Sequence, residues 1–300
     1  MKHPVSPEQR QKVIELRRSH SLADVASMTG LPLGTVKTLV SRSGRFIDNQ
    51  SHRDLFALPA VRPSSQTLPS VPQLPPQMRV TGDKEIDAVL WLRSVIDTGQ
   101  PALIEKAMLA KESIKTPLAE IEKRYLKHLV STNPGNMFAG LSSLGFGDLE
   151  ELAAKTRKRE ALRAEAAARF DDILAETEAE SFCVDTLHGL ERGGRMFDFE
   201  KTKVAYRFKR CTALMPQTLS DCLHELAYWK SLYSLRNSVN RDCADPAPEA
   251  SARDWFVFGL LAEIRPRGKD EAMAVLRYLI DDNRMDMSET ESILTNLIGR

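Results

Sequence analysis

Apolar residues recur every three or four positions over most of this chain, which is the spacing of one face of an α-helix. Between residues 83 and 147 the pattern is interrupted at Gly99, at Pro117 and at Pro134. Glycine and proline end helices and allow new ones to begin. The pattern therefore predicts a mainly α protein, with a compact helical unit over residues 83–147.

Residues 183–300 predict a C-terminal helical lobe. A long helix carries the leucines between Leu219 and Leu235, and the run from Trp255 to Leu261 is apolar on all sides, which indicates a buried helix. Residues 195–210 permit both a strand and a helix, and we favour the helix because Val204 and Phe208 keep helical spacing. The body of the protein is thus predicted as one or two helical lobes.

Residues 148–182 predict a long charged helix. Sixteen charged side chains lie between residues 148 and 180, and a continuous helix of that length would span about 50 Å. Its apolar stripe is interrupted, because only alanines represent apolar residues between Leu152 and Leu162. A coiled-coil seam needs larger apolar residues over several heptads. We favour a solvated helix that connects two lobes, and a dimerisation helix remains the alternative.

The first 48 residues predict three short helices. Ser6 and Gln9 form a capping-box pattern around Pro7, a residue that suits the first position of a helix. A second helix covers residues 22–28, and Gly30 then supplies a tight turn. A third helix begins near Pro32, with Val36, Leu39 and Val40 on one face and mostly polar residues on the other.

The segment from Ala23 to Lys37 closely resembles the helix-turn-helix of sigma-factor region 4 and of its homeodomain-like relatives among bacterial regulators and recombinases. The resemblance covers about forty residues, and it implies that the third helix enters the major groove of DNA. No polymerase-binding region of a sigma factor is recognisable, so a sigma factor is not expected. The candidate DNA-contacting residues are Thr35, Lys37, Thr38, Ser41, Arg42 and Arg45.

Charge supports this assignment. The head, residues 1–48, carries eight basic and three acidic side chains in its first 47 positions, a net charge of +5. The whole chain carries only +1, so the remainder is net −4. A basic head on an acidic body is expected when only the head contacts phosphates. A three-helix bundle that docks another protein is the alternative for the head.

Residues 49–82 predict a Pro-rich, flexible linker. Six prolines lie from Pro59 to Pro76, and no acidic residue occurs between Asp54 and Asp83. Such a composition favours an extended, semi-rigid spacer that does not pack. A ligand for a proline-recognising partner is the less favoured interpretation.

Membrane and metal sites are not predicted. No apolar run approaches 18 residues, and the N-terminus lacks a signal core, so we expect a cytoplasmic protein without a membrane partner. The four cysteines are expected to be buried thiols. Cys183 with His188, and Cys222 with His224, do not match the paired spacing of zinc sites. Neither a metal nor another cofactor is predicted.

One segment of the body carries candidate chemistry for nucleic-acid binding. The segment from Arg195 to Arg210 interleaves aromatic and basic side chains, the ingredients of single-strand binding, but an amphipathic element with a core face is favoured. The sequence contains no phosphate-binding loop, nucleophile elbow or zinc-protease motif. We therefore predict a protein that is not an enzyme.

The sequence as a whole predicts a sequence-specific bacterial DNA-binding protein, most simply a transcriptional regulator. One small helix-turn-helix reads few base pairs, so specificity favours a homo-oligomer on double-stranded DNA, with a protein partner as a further role for the body. Two alternatives remain. One is an accessory DNA-binding factor of a plasmid or phage, in partition, replication, transfer or packaging. The other is an enzyme with an unrecognised site in the C-terminal lobe.

Overall fold

The computed structural model describes residues 5–17, 20–44, 46–63, 73–136, 138–193, 199–240 and 245–299. These residues form α-helices and two short 3-10 helices, and no strand occurs among them, so the prediction of a mainly α fold is confirmed. None of the described helices is long and apolar enough to cross a membrane. The helices are α1 (Pro7–Arg17), α2 (Leu22–Thr29), α3 (Leu33–Ser43), α4 (Gln50–Leu55), α5 (Lys84–Asp97), α6 (Pro101–Lys111), α7 (Leu118–Thr132), α8 (Leu149–Arg169), α9 (Glu178–Leu187), α10 (Lys201–Arg210), α11 (Leu219–Val239), α12 (Pro248–Glu263), α13 (Lys269–Asp281) and α14 (Thr290–Ile298).

The chain divides into two compact units. Unit 1 consists of Met1–Pro59 and Asp172–Arg300, and unit 2 consists of Ala60–Asp171. The sequence suggested instead that the head and the body would be consecutive domains. The C-terminal lobe of unit 1 (residues 172–300) thus begins before the predicted position 183, and unit 2 is an insertion in the sequence of unit 1.

The core of the C-terminal lobe is formed where α11, α12, α13 and α14 meet. On α12, Val257, Phe258, Leu260 and Leu261 are buried, whereas Trp255 is 43% exposed. The prediction that this helix is buried on all sides is therefore wrong at Trp255. The buried apolar residues of α12 pack in the core of the lobe.

Unit 2 has a core of its own. The residues that form it come from α5, α6, α7 and α8 and from the segment before α8. They are Ile86, Val89, Leu92, Val95, Ile96, Leu103, Ile104, Ala107, Ile121, Phe146, Leu149 and Ala153. The predicted helical unit over residues 83–147 thus shares its core with the first turns of α8.

The charged helix is shorter than predicted. Helix α8 ends at Arg169, because Phe170 adopts an extended backbone with ψ 145°. A separate helix, α9, begins after Thr177, whose side chain accepts a hydrogen bond from the backbone NH of Glu180 in a capping box. Leu149 and Ala153 of α8 are buried in the core of unit 2, so α8 is a packed element of that unit. It does not form the predicted single helix over residues 148–182.

The linker begins later than predicted. Residues 50–55 form α4, and the side chains of His52 and Phe56 are fully buried in unit 1. Asn49, at the N-terminal end of α4, donates hydrogen bonds from its side-chain amide to the carbonyl oxygens of Ala213 and Met215, both at 2.9 Å. The segment from 49 to 56 is therefore part of the lobe.

The remaining described parts of the linker are extended but anchored. The backbone NH of Arg62 donates to the carbonyl oxygen of Ala168 at 2.8 Å, and its guanidinium pairs with Asp171. The indole NH of Trp91 donates to the carbonyl oxygen of Pro75 at 2.9 Å. A spacer without packing contacts is thus wrong for these positions, and residues 64–72 lie outside the described part of the chain.

Candidate nucleic-acid interface

The head is a three-helix bundle around three valines. Val13 of α1, Val25 of α2 and Val36 of α3 are fully buried and pack on one another. The partly buried residues around them are Leu16, Leu22, Ala26, Leu31, Leu39 and Val40. The predicted apolar face of the third helix is therefore the face that holds it on the other two helices.

Local capping fixes where these helices begin. The hydroxyl of Ser6 accepts a hydrogen bond from the backbone NH of Gln9 at 3.1 Å, and the Gln9 side chain accepts one from the NH of Ser6 at 3.2 Å. This confirms the predicted capping box. A second box joins Ser21 and Asp24 at the start of α2.

The turn between α2 and α3 depends on Gly30. Its φ of 66° lies in the left-handed region, where a side chain would strain the backbone. Only two residues, Leu31 and Pro32, separate this glycine from the first residue of α3. A turn this short limits the directions in which α3 can leave α2.

Most of the candidate residues lie on the free side of α3. Lys37, Thr38, Ser41 and Arg42 are exposed, and Thr35 is half-buried. Arg45 lies outside the described residues. The helix therefore brings four of the six candidates to one accessible surface, opposite the buried Val36.

Not every polar group on this surface is free to read a base. The hydroxyl of Thr38 donates to the carbonyl oxygen of Gly34 at 2.9 Å, so its proton is used within the helix and its lone pairs remain as acceptors. Gly34 itself is open, because nothing lies within 4 Å of the Cβ position it lacks. The absence of a side chain there allows close approach of a partner surface.

The positive charge of the head is uncompensated. Within residues 5–17 and 20–44, no cation forms an ion pair with a described carboxylate, although many cations of the body do. Lys37 and Arg42 on α3, and Arg10 and Lys12 on α1, are exposed. An exposed cationic surface without internal partners is suited to phosphate contacts.

Two exposed apolar residues accompany this surface, and the sequence pattern did not single them out. Met28 of α2 is 54% exposed and Leu33 at the start of α3 is 42% exposed. Leu33 keeps helical spacing with Val36 and Val40, so spacing alone does not mark it as exposed. Because it lies in the first turn of α3, it remains accessible for an apolar contact such as a thymine methyl group.

A second cluster, in the lobe, contains a fully buried ion pair. The carboxylate of Glu225 accepts hydrogen bonds from Nε and Nη2 of Arg253, at 2.7 and 2.8 Å, and Oε2 lies 2.7 Å from Nε2 of His52. All three side chains are fully buried. Burial favours a raised pKa for Glu225, but Arg253 and His52 hold the pKa below its usual value.

Four aromatic rings enclose the guanidinium of Arg253. The rings of Phe56, Phe182, Phe208 and Phe256 have their centroids between 4.8 and 5.7 Å from its central carbon. Such cation–π contacts stabilise a desolvated cation. Because the cluster is sealed from solvent, its role is to join α4, α11 and α12.

The described part of the aromatic and basic segment 195–210 has one exposed aromatic ring. Residues 201–210 form the helix α10, so the preference for a helix is confirmed over these positions. Phe208 is buried and stacks on Phe256 at 5.4 Å, whereas Tyr206 is 63% exposed beneath Arg210. Arg195 and Phe197 lie outside the described residues. The described part therefore fits an amphipathic helix with a core face.

The cysteines named as zinc candidates are buried thiols. Cys183 and Cys222 are fully buried, and burial raises the pKa of both thiols. The imidazole of His224 contacts the carbonyl oxygen of Arg53 at 3.2 Å. Among the described residues, no three His, Cys, Asp or Glu side chains come together as a metal site.

A cavity of about 540 Å³ lies beside Trp229 and Trp255 in the lobe. Four of its five charged residues form two pairs: Arg284 lies 3.1 Å from Asp254, and Lys230 pairs with Asp282. Burial raises the pKa of Asp254 despite that partner. This cavity, and a second one of about 640 Å³ in the lobe that Phe199, Phe256 and Glu289 help to line, are where an enzymatic alternative would be sought first.

Comparison with known proteins identifies no relative: no family model, curated protein or solved structure matches the chain.

Proposed function

We propose that this protein binds double-stranded DNA through α3, as a sequence-specific bacterial DNA-binding protein that acts in transcriptional regulation. The observation that carries this proposal is the two-sided character of α3. Val36 is completely buried, while Lys37, Thr38, Ser41 and Arg42 are exposed on a surface without acidic partners. A short helix that is anchored by one face and cationic on the other suits the major groove.

Roles follow from side-chain chemistry. Arg42 can form two parallel hydrogen bonds to guanine, whereas Lys37 offers a compact charge to a phosphate. Thr38 and Ser41 offer hydroxyl groups, of which the Thr38 hydroxyl acts as an acceptor. Arg45, which lies outside the described residues, follows Arg42 by three positions in the sequence and adds a further positive charge.

Selection from a random duplex pool with the full chain tests this function directly. A sequence-specific protein should enrich a common site, and its affinity should fall steeply with salt because phosphate contacts release counterions. The double variant Lys37→Ala, Arg42→Ala should lose enrichment, and Arg277→Ala, an exposed arginine of α13, is the matched control. Failure of the unmodified protein to bind any duplex at low salt would remove the proposal.

We further propose that the protein acts as a homo-oligomer. One recognition helix contacts few base pairs, and two half-sites read together discriminate far better among competing sequences. Unit 2 carries an exposed apolar surface on α7 and the following 3-10 helix, suited to a second copy of the chain. Its members are Leu126 (41% exposed), Val130 (54%), Phe138 (68%), Leu141 (57%) and Leu144 (72%). Apolar surfaces of this kind mark interfaces.

A further inference from the structure

A small cavity of about 160 Å³ lies where the head meets the C-terminal lobe. Arg17 and Phe46 line one side of it, and Lys209, Gln217 and Arg265 belong to the other. Both sides are part of unit 1. The cavity is smaller than the sites of about 300–1,000 Å³ that hold drug-sized ligands. Its size therefore suits a small ion or a single chemical group.

Neither arginine of this cavity forms a direct ion pair or hydrogen bond with a described carboxylate. Nη1 of Arg17 donates to the carbonyl oxygen of His20 at 2.9 Å, and its guanidinium lies 5.4 Å from the centre of the Phe46 ring. Arg265 forms no hydrogen bond or ion pair with the described residues, and the Nε atoms of both arginines are buried without a hydrogen-bond partner. Each guanidinium thus retains donors that nothing in this part of the chain satisfies.

The two charges also oppose each other. Burial, and next the charge of Arg265, lower the pKa of Arg17, yet an arginine stays protonated at neutral pH. Two carboxylates lie in this region, and both have other partners. Glu263, which also lines the cavity, pairs with Lys209 at 2.8 Å. Asp24 accepts a hydrogen bond from the Ser21 hydroxyl at 2.6 Å, and its pKa is lowered first by its hydrogen bonds with Ser21 and further by the charge of Arg265. Like charges held together in a half-buried site favour an anion between them.

We propose that this cavity binds a phosphate group, which bridges Arg17 of the head and Arg265 of the lobe. The planar guanidinium matches phosphate oxygens with paired N–H donors, and the two arginines supply the charge, because Lys209 is already offset by Glu263. A bound phosphate removes the repulsion and joins α1 to the segment after α12. The head is thereby held in its place on the lobe.

The phosphate group has two sources of the same chemistry. One is a free phosphate ion or a small phosphate monoester, which would make the position of the head responsive to a soluble ligand. The other is a phosphate of bound DNA. The first source is independent of the proposed function, and the second rests on it.

Thermal unfolding of the full chain in inorganic phosphate, against chloride at equal ionic strength, tests the free anion. Phosphate should raise the melting temperature, because a ligand of the folded state stabilises it. Arg265→Gln should raise the phosphate concentration needed for the same shift in melting temperature about tenfold, because charge-assisted hydrogen bonds are lost. Arg277→Gln, at an exposed arginine of α13 outside the cavity, is the control. Without phosphate, Arg265→Gln should not lower the melting temperature, because the substitution relieves the repulsion between the two arginines. If Arg265 only stabilised the fold, the same substitution would lower the melting temperature.

The salt dependence of duplex binding tests the second source. If a DNA phosphate occupies the cavity, Arg265→Gln should make the plot of the logarithm of affinity against the logarithm of salt concentration less steep. The slope should change by about one, as expected for one lost phosphate contact. A protein that responds to phosphate but binds no DNA would remove the proposed function and leave this inference standing. No response to phosphate, together with an unchanged slope or no DNA binding, overturns it.

Discussion

Nε2 of His52 lies 2.7 Å from Oε2 of Glu225, although 173 positions separate the two residues in the chain. Both side chains are fully buried, and Nδ1 of the same imidazole is buried without a hydrogen-bond partner. The contact fixes α4 on α11. The segment predicted as the start of a flexible linker is therefore an internal support of the C-terminal lobe.

His52→Ala should destabilise the whole of unit 1. The substitution removes a buried hydrogen bond to a charged group and leaves a void beside Phe56, which together cost about 2–4 kcal/mol in the free energy of unfolding. Chemical denaturation measures this loss. Ser51→Ala, at the exposed neighbouring position, should change stability little, and equal effects of the two substitutions would mean that α4 does not pack as described.

Stability should fall in acid because of Glu180. Burial favours a raised pKa for this carboxyl, but Arg236, 2.8 Å away at its Nη2, and Thr177 hold it below the usual value of 4.5. A lowered folded-state pKa contributes stability that is present above the unfolded value and lost as pH falls through the folded value. The loss should therefore begin below about pH 4.5.

Glu180→Gln should reduce the loss in the free energy of unfolding that is measured between neutral pH and pH 3. It should also cost about 3 kcal/mol at neutral pH, since Arg236 is left buried without its charged partner. Glu178→Gln, an exposed residue of the same helix, is the control. If Glu180→Gln loses as much stability in acid as the unmodified protein, the pH dependence belongs to other carboxyl groups.

The two faces of α3 should respond differently to substitution. Val36→Asp should unfold the head, because it buries an unpaired charge in the three-valine core. Arg42→Ala should leave the helical content unchanged and weaken binding to a selected duplex by about 1–3 kcal/mol if it reads a base. Circular dichroism and fluorescence anisotropy separate these outcomes. Normal binding by Arg42→Ala and Lys37→Ala together would mean that another surface of the head faces DNA.

Limited proteolysis should cut in the linker without separating its flanking parts. Arg79 is exposed, and cleavage by trypsin there leaves α4 on the N-terminal fragment. Since α4 is buried in the lobe, the two fragments should elute together in gel filtration under native conditions. Release of a free N-terminal fragment would contradict the packing of His52 and Phe56.

Oligomerisation should depend on unit 2. Phe138→Ser with Leu141→Ser should convert a dimer to a monomer in sedimentation experiments, because it places hydroxyl groups in the apolar surface proposed for pairing. Leu109→Ser on α6, where the leucine is 73% exposed, is the matched control. A dimer that survives the double substitution would exclude this surface, and a monomeric unmodified protein would remove the proposed homo-oligomer.

Features that depend on contacts between neighbouring residues were predictable from the sequence, and features that depend on contacts between distant residues were not. The Ser6 capping box, the Gly30 turn and the inward Val36 are set by residues within one or two turns, and each was predictable. Helix α4 was not, since six residues give too little periodicity and its stability depends on Glu225 far along the chain. The end of α8 was missed for a similar reason: alanines and charges favour a continuing helix, and nothing local marks Phe170 as extended.

The candidate site shows the same limit. The exposed face of α3 followed from helical spacing, but the accessibility of Leu33 and the use of the Thr38 hydroxyl within the helix required coordinates. The approach of Arg17 to Arg265 had no sequence signal at all, because it depends on where the head rests on the lobe.

The insertion of unit 2 within unit 1 has a consequence for synthesis on the ribosome. Phe56 leaves the exit tunnel before any of unit 2, and the helix that covers it, α11, follows only after unit 2 is complete. At about 5–20 residues per second, this aromatic side chain waits roughly ten seconds or longer on the nascent chain. Unit 2 can close during that interval, whereas unit 1 must wait for its own C-terminal half. Exposed α4 is therefore the segment of the growing chain on which we expect a chaperone to act.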